Sequence, residues 1–295
     1  MKKILLALIS FISLSLAGCD ADYVIQDTLP YVDGEKAHVV LLYGQSNADG
    51  VSHNEYLLLN DPVKYAEYSE GYDNVLINFV NDKDGNTSDY AFRKCTLGCG
   101  YTETCYGPEM GIAEKMSLAY PNETTFIIKW TVGGTILKSQ WLNGHKKRGE
   151  LYKLSMDFTT KCLKYLKDKG YELSLDGICW MQGESDSMVS TPQRYYEDTV
   201  AYVNYLRHDL EKYQKSIKFV DAGINEVEGI WVVPDEINNA KKQFANESDL
   251  NFYIDTKAMG LSSIHEPEDQ VDVAHWDSIS MVKLGQAFGS VVAGK

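Results

Sequence analysis

Four short stretches of this 295-residue chain carry polar or glycine-rich residues where regular elements end. They are Gly44-Gln45-Ser46-Asn47, Gly133-Gly134-Thr135, Gln182-Gly183-Glu184-Ser185-Asp186, and the late pair Asp272 and His275 in DVAHW. The first follows the apolar run Val39 to Tyr43, so Ser46 stands where a doubly buried strand leaves its sheet. Gly44 permits a tight turn there. At such a point a serine can be a nucleophile or a helix cap, and caps are the commoner use. As a nucleophile it would need a base to take its proton, a task that suits histidine near neutral pH. A lone histidine, however, is more often a satisfied surface or core residue. Each stretch alone is a weak signal; their order along the chain gives them weight.

The elements that must position them alternate. HVVLLY (His38 to Tyr43) reads as a first strand and TFIIKW (Thr125 to Trp130) as a second, with a long irregular region between them. PEMGIAEKMSLAY reads as a helix with Pro108 in its first turn. Leu151, Leu154, Phe158, Cys162 and Leu166 mark one face of another. LDGICWMQ, IKFVDAGI and NFYIDTKAM read as strands, separated by a long helix beginning near Thr191 and by PDEINNAKKQFANE; SISMVKLGQAFGSVVA closes the chain as a helix. Such alternation predicts a three-layer α/β/α sandwich, flavodoxin-like, with a mainly parallel sheet of about five strands. The strand ends then gather at one edge, where ligands bind in open sheets. The reading gives a leader at 1–19, a linker at 20–36, and one domain at 37–295 with an insertion around 52–105 that caps the cleft.

Together GQSNADG, KWTVGGT, WMQGESD and DVAH, with YGPE in the expected place, resemble the blocks of the SGNH-hydrolase superfamily. More narrowly they resemble its branch of sialate O-acetylesterases and family 6 carbohydrate esterases, which includes acetyl xylan esterases. The resemblance covers residues from about 38 to 290. It implies Ser46 as nucleophile with Asp272 and His275 completing a triad. It implies an oxyanion hole from the Ser46 amide, an amide of Gly133 or Gly134, and the Gln182 side chain, with Asn47 and Glu184 as supports. The substrate it implies is an acetylated polysaccharide such as xylan, or sialic acid; no cofactor and no metal are expected. Asp269 and Asp277 are alternative acids that fit the spacing less well. Tyr43 and Tyr106 are candidates for the acetyl pocket, Trp141 for stacking on a sugar, and Arg148 for a sialate carboxylate. Trp276, beside the base, is a candidate for narrowing the pocket. Lys129 is expected to neutralise an acid inside. His53, His145 and His265 read as surface residues. The alternative class is a non-catalytic sugar-binding lipoprotein on the same fold.

Composition narrows the partners. A formal charge of −14 argues against nucleic acid and anionic membrane as partners. At the start, Lys2 and Lys3 precede an apolar stretch too short to span a bilayer. It ends in LAGC, Leu16 to Cys19, which resembles a bacterial lipobox. That implies cleavage before Cys19, a lipid on its thiol, and a protein held at a cell membrane by that anchor alone. Outside the cytoplasm, clustered Cys95, Cys99 and Cys105 are expected to hold one disulfide, whereas Cys162 and Cys179 read as buried small hydrophobes.

Overall fold

A computed structural model describes residues 23–82, 85–144, 146–188 and 194–294. The leader and Cys19 lie outside the described residues, as does His145. In chain order the first elements are β1 (Lys36–Gly44), α1 (Ser46–Asp49), β2 (Ser52–His53), α2 (Asn54–Asn60), α3 (Pro62–Glu70) and β3 (Val75–Asn81). Then come β4 (Arg93–Lys94), β5 (Cys105–Tyr106), α4 (Glu109–Ala119), β6 (Thr124–Thr131), α5 (Glu150–Asp168) and β7 (Glu172–Met181). The chain closes with α6 (Glu184–Ser187), α7 (Tyr195–Leu210), β8 (Lys218–Ala222), α8 (Pro234–Ala245), β9 (Asn251–Ile254) and α9 (Ser278–Ala293). A π-helical turn, Leu137–Trp141, follows β6.

An apolar strand with no polar face must be covered on both sides. Accordingly β1 is buried from Ala37 to Gly44 and lies inside a seven-stranded sheet of order β4-β3-β6-β1-β7-β8-β9. All neighbouring pairs are parallel except β3 with β4. One face is covered by α4 and α9, the other by α5, α7 and α8. The first two helices touch backbone to backbone, because a methyl on Gly111 would fall 2.4 Å from the carbonyl carbon of Gly285.

The structure corrects three expectations. The sheet exceeds five strands because VLINFVN, within the supposed insertion, is a full member of it. Asn78 and Asn81 interrupt its apolar pattern, yet both are buried and satisfied. Asn78 bonds Tyr90 and Ser88, and Asn81 reaches the carbonyls of Cys99 and Gly100. The supposed linker is packed from Tyr23 onward, with the Tyr23 hydroxyl accepting from Trp130 Nε1 at 3.1 Å. The expected disulfide is absent: Cys95, Cys99, Cys105, Cys162 and Cys179 are buried free thiols. Cys105 sits on the β2–β5 ladder, its sulfur taken by the Thr102 hydroxyl at 3.3 Å, while Cys95 and Cys99 are buried in the core, the former against the Glu109 carbonyl at 3.9 Å.

At the amino-terminal end of the sheet, His38 of β1 is clamped between Asp176 of β7 (2.7 Å) and Glu123 before β6 (3.1 Å). Its ring stacks on Tyr120 at 3.6 Å. An open cavity of about 400 Å³ lies here, at the end of the strands opposite the polar motifs. Burial disfavours the imidazolium, but the hydrogen bond and charge of Asp176, with Glu123, raise its pKa above the ordinary value. The sign follows from linkage: this stabilisation is complete below the unfolded pKa and is lost as pH rises through the higher folded one. Replacing His38 by Gln should therefore lower the melting temperature more at about pH 6 than at about pH 9; a deficit independent of pH would show that the ring acts by packing alone.

Candidate active site

The carboxyl ends of the strands bring the polar motifs together. Gly44 ends β1 with φ +148°, and a Cβ there would strike the Met181 carbonyl oxygen at 2.0 Å. Only glycine lets β1 pass so close to β7 as it turns. From Ala37 to Gly50 every residue is buried except Ser46, which opens α1 and reaches solvent. The turn is held from below by Lys129 of β6. Its ammonium group is fully buried and donates to the carbonyls of Asp49 (2.7 Å) and Cys99 (2.8 Å) and to Glu109 Oε2 (2.9 Å). Glu109 is thus the internal acid that Lys129 was expected to meet.

Asn47, buried beside Ser46, is the joint of the site. Its amide donates to Glu184 Oε1 after β7 (2.7 Å) and to the Ala274 carbonyl (3.2 Å), and its oxygen accepts from the Trp276 amide (3.2 Å). The residues on either side of His275 are thereby fastened to the residue next to Ser46. Ser52 adds a bond to the Trp276 carbonyl (2.7 Å), and Asn225, beyond β8, donates to the carbonyls of Val273 and Ala274. Below this loop, Glu266 accepts from Asn60 and from the amide and hydroxyl of Ser278.

Within the loop, His275 Nδ1 meets Asp272 Oδ2 at 2.6 Å. A carboxylate can only accept, so Nδ1 carries the proton and Nε2 is left free to act as a base. Burial opposes ionisation of Asp272, but the hydrogen bond and charge of His275 hold its carboxyl below the usual range. Asp277, the alternative acid, is buried and occupied by His265 Nδ1 at 2.8 Å; Asp269 is exposed. His53, read as a surface residue, instead lines a small crevice with Asp272, His275 and Trp276.

Gly133 is next to Ser46: a methyl added to it would lie 3.8 Å from Ser46 Cβ. Gly134 adopts φ +66°. Gln182 departs from its expected role. Both of its amide protons are used inside the protein, on the Thr135 carbonyl (2.7 Å) and Asp186 Oδ2 (2.6 Å), and its oxygen accepts from Tyr195. It shapes the loop bearing the two glycines and has no proton left for an oxyanion. Burial pushes Asp186 up to about 6, against the pull of the Leu137 amide and Gln182.

The aromatic candidates belong to the core. Tyr43 is buried with its hydroxyl on Thr159 (2.6 Å), and Tyr106 with its hydroxyl on the Ser278 carbonyl (2.6 Å). Trp141 is fully buried between Trp130 and Trp180, its Nε1 on Thr135, so no face is open to a sugar. Trp276 is also buried, and it is the backbone of this residue that meets Asn47. Arg148 is committed to Asp209 through two bonds (2.8 and 2.5 Å) and lies over Tyr205. One support was invisible in the sequence: Lys241 of α8 is fully buried and donates to Asp221 (2.7 Å) and to the carbonyls of Gln182 (2.5 Å) and Ala222 (2.8 Å).

Because Asn47 satisfies three buried groups, Asn47→Ala should cost about 2–4 kcal/mol in denaturant unfolding. A loss under about 0.5 kcal/mol would mean that water replaces the side chain without penalty.

The comparisons with known proteins agree with this architecture. No curated relative matches the sequence. Among solved structures, NanS superposes with a TM-score of 0.65 at 14% identity, covering 89% of this chain and 98% of its own. A protein of Arabidopsis thaliana gives 0.62 at 18%, covering 88% and 98%. A carbohydrate acetylesterase of Xanthomonas citri gives 0.55 at 12%, covering 88% of this chain and 57% of its own. At these identities the likeness is one of fold. The family model described as carbohydrate esterase, sialic acid-specific acetylesterase matches residues 36–293. The chain belongs to that family and is a carbohydrate O-acetylesterase.

Proposed function

We propose that deacetylation proceeds through Ser46, with His275 as base and Asp272 as its partner. One observation carries the reading: the residues flanking His275 hydrogen-bond Asn47, next to Ser46, while Asp272 holds the other side of the ring. His275 Nε2 takes the Ser46 proton as the oxygen attacks the acetyl carbon. Asp272 fixes the tautomer and stabilises the imidazolium. The amides of Ser46 and of Gly133 or Gly134 receive the oxyanion; each such donor contributes about 3 kcal/mol. Collapse expels the sugar alkoxide, which takes the proton from His275. Water then repeats the attack on the acetyl-enzyme and releases acetate, leaving Ser46 free.

The substrate we propose is a neutral acetylated polysaccharide of the xylan type. Two features favour it over sialate: Arg148, the arginine expected to meet a sialate carboxylate, is committed to Asp209, and the protein carries a net charge of −14. The sialic acid-specific family model supports the other reading. We also propose export and a lipid on Cys19. Tyr23, four residues on, is already packed in the fold, so a tether of at most about 14 Å would hold the enzyme against the membrane.

Ser46→Ala should lower acetate release by about 10⁴–10⁶-fold with the fold intact, and Asp272→Asn by about 10⁴-fold. Near-normal turnover in either would move the chemistry to other residues. Activity should fall on acidification, because an imidazole that already holds a proton cannot accept the serine's. A panel of acetylated xylans and O-acetylated sialic acids, read by acetate release, decides the substrate; preference for sialates would overturn the neutral-glycan reading.

A further inference from the structure

Asp49, three residues beyond Ser46 on α1, is buried, and neither carboxylate oxygen has a hydrogen-bond partner. An orphaned carboxylate at such depth is costly, and a proton on it removes the larger part of that cost, the burial of its charge. Nearby groups relieve it only in part. Lys129 spends its protons on the Asp49 carbonyl, Cys99 and Glu109, and the neighbouring Thr131 hydroxyl donates to Asn81. Asp82, at the end of β3, is a second acid at the same spot. A methyl on Gly133 would lie 3.5 Å from Asp49 Oδ2, 3.7 Å from Asp82 Oδ2 and 3.8 Å from Ser46 Cβ. Two carboxyl groups and the nucleophile therefore surround one point beside the glycine loop.

We propose that Asp49 is a positioning residue that must be uncharged for turnover, its neutral carboxyl group tolerated beside the acyl-transfer site and its carboxylate opposing the tetrahedral oxyanion. This rests on the reading of Ser46 as the nucleophile. The charged and titratable groups facing Asp49 are Asp82 just after β3, Lys129 from β6 and His275 from the late loop. Burial pushes its carboxyl up to about 7, against the pull of Thr131 and Lys129 and with the help of Asp82. Above that pH a negative charge stands beside the acyl-transfer site, and at an effective dielectric near 20 its repulsion slows acylation on the order of 10- to 100-fold.

The test is the pH dependence of kcat/KM for p-nitrophenyl acetate in the wild type, Asp49→Asn and Ser46→Ala. The wild type should lose activity from about pH 7 to about pH 9, and Asp49→Asn should lose that alkaline limb while keeping the acid one. A limb unchanged in Asp49→Asn overturns the proposal. Ser46→Ala should be inactive at every pH; turnover there sinks the serine reading instead. A second readout does not need activity. With a folded pKa above the unfolded one, protonation of Asp49 stabilises the fold relatively at low pH, and that advantage is lost as pH rises through about 7. Asp49→Asn should thus gain melting temperature over the wild type as pH rises from about 4 to about 8, and a gap constant over that range overturns the proposal. If Asp49→Asn does not fold, Asp82→Asn should move the wild-type alkaline limb to lower pH by removing a like charge; an unmoved limb overturns the proposal.

Discussion

The structure depends on a single side-chain amide. Asn47 has one acceptor and two protons, and it spends all of them on groups from different parts of the chain. Those groups belong to the turn after β7 and to a loop more than two hundred residues downstream. Nothing in a parallel sheet by itself draws a carboxy-terminal loop over the end of its first strand. The burial of Asn47 makes the arrangement decisive, because an amide without partners there would cost more than most single contacts contribute. Ser46, half-buried, is held at the surface of the turn because its neighbour is locked.

Beneath the amide, two buried lysines do related work. Lys129 and Lys241 each pair with one acid and spend their remaining protons on backbone carbonyls, the first on those of Asp49 at the end of α1 and of Cys99 between β4 and β5, the second on those of Gln182 and Ala222 at strand ends. A buried ion pair is a weak source of net stability, since desolvation offsets most of its attraction. Its value here is geometric. Each lysine holds a chain reversal at a fixed height above the sheet, one under the serine turn and the other under the turn after β7. Hydrophobic packing alone, being non-directional, would not set those heights.

Much of this was legible in the residues, for a physical reason. Strands buried on both faces leave unbroken apolar runs, so β1, β6, β7 and β8 stood out, and the motifs at their ends followed. β3 did not, because Asn78 and Asn81 interrupt its run; their partners lie in loops no pattern reveals. The aromatic residues misled for the opposite reason. Tyr43 sits beside the GQSN motif in sequence, yet its hydroxyl ends on Thr159 of α5, in the core. Trp141 follows the glycine pair by a few residues, but the π-helical turn folds it inward. Gln182 shows a further limit: a motif identifies a residue, while the direction of its amide depends on Asp186 and Tyr195. Lys241 reads as one of many helix lysines until the strand order brings α8 over the sheet.

Activation of one particular hydroxyl by a distant imidazole is read by covalent labelling without any substrate. A fluorophosphonate reagent, followed by peptide mass spectrometry, should modify Ser46 in the native protein and fail to modify it in folded His275→Ala. Label on another residue, or equal labelling of Ser46 without His275, would show that His275 does not activate Ser46.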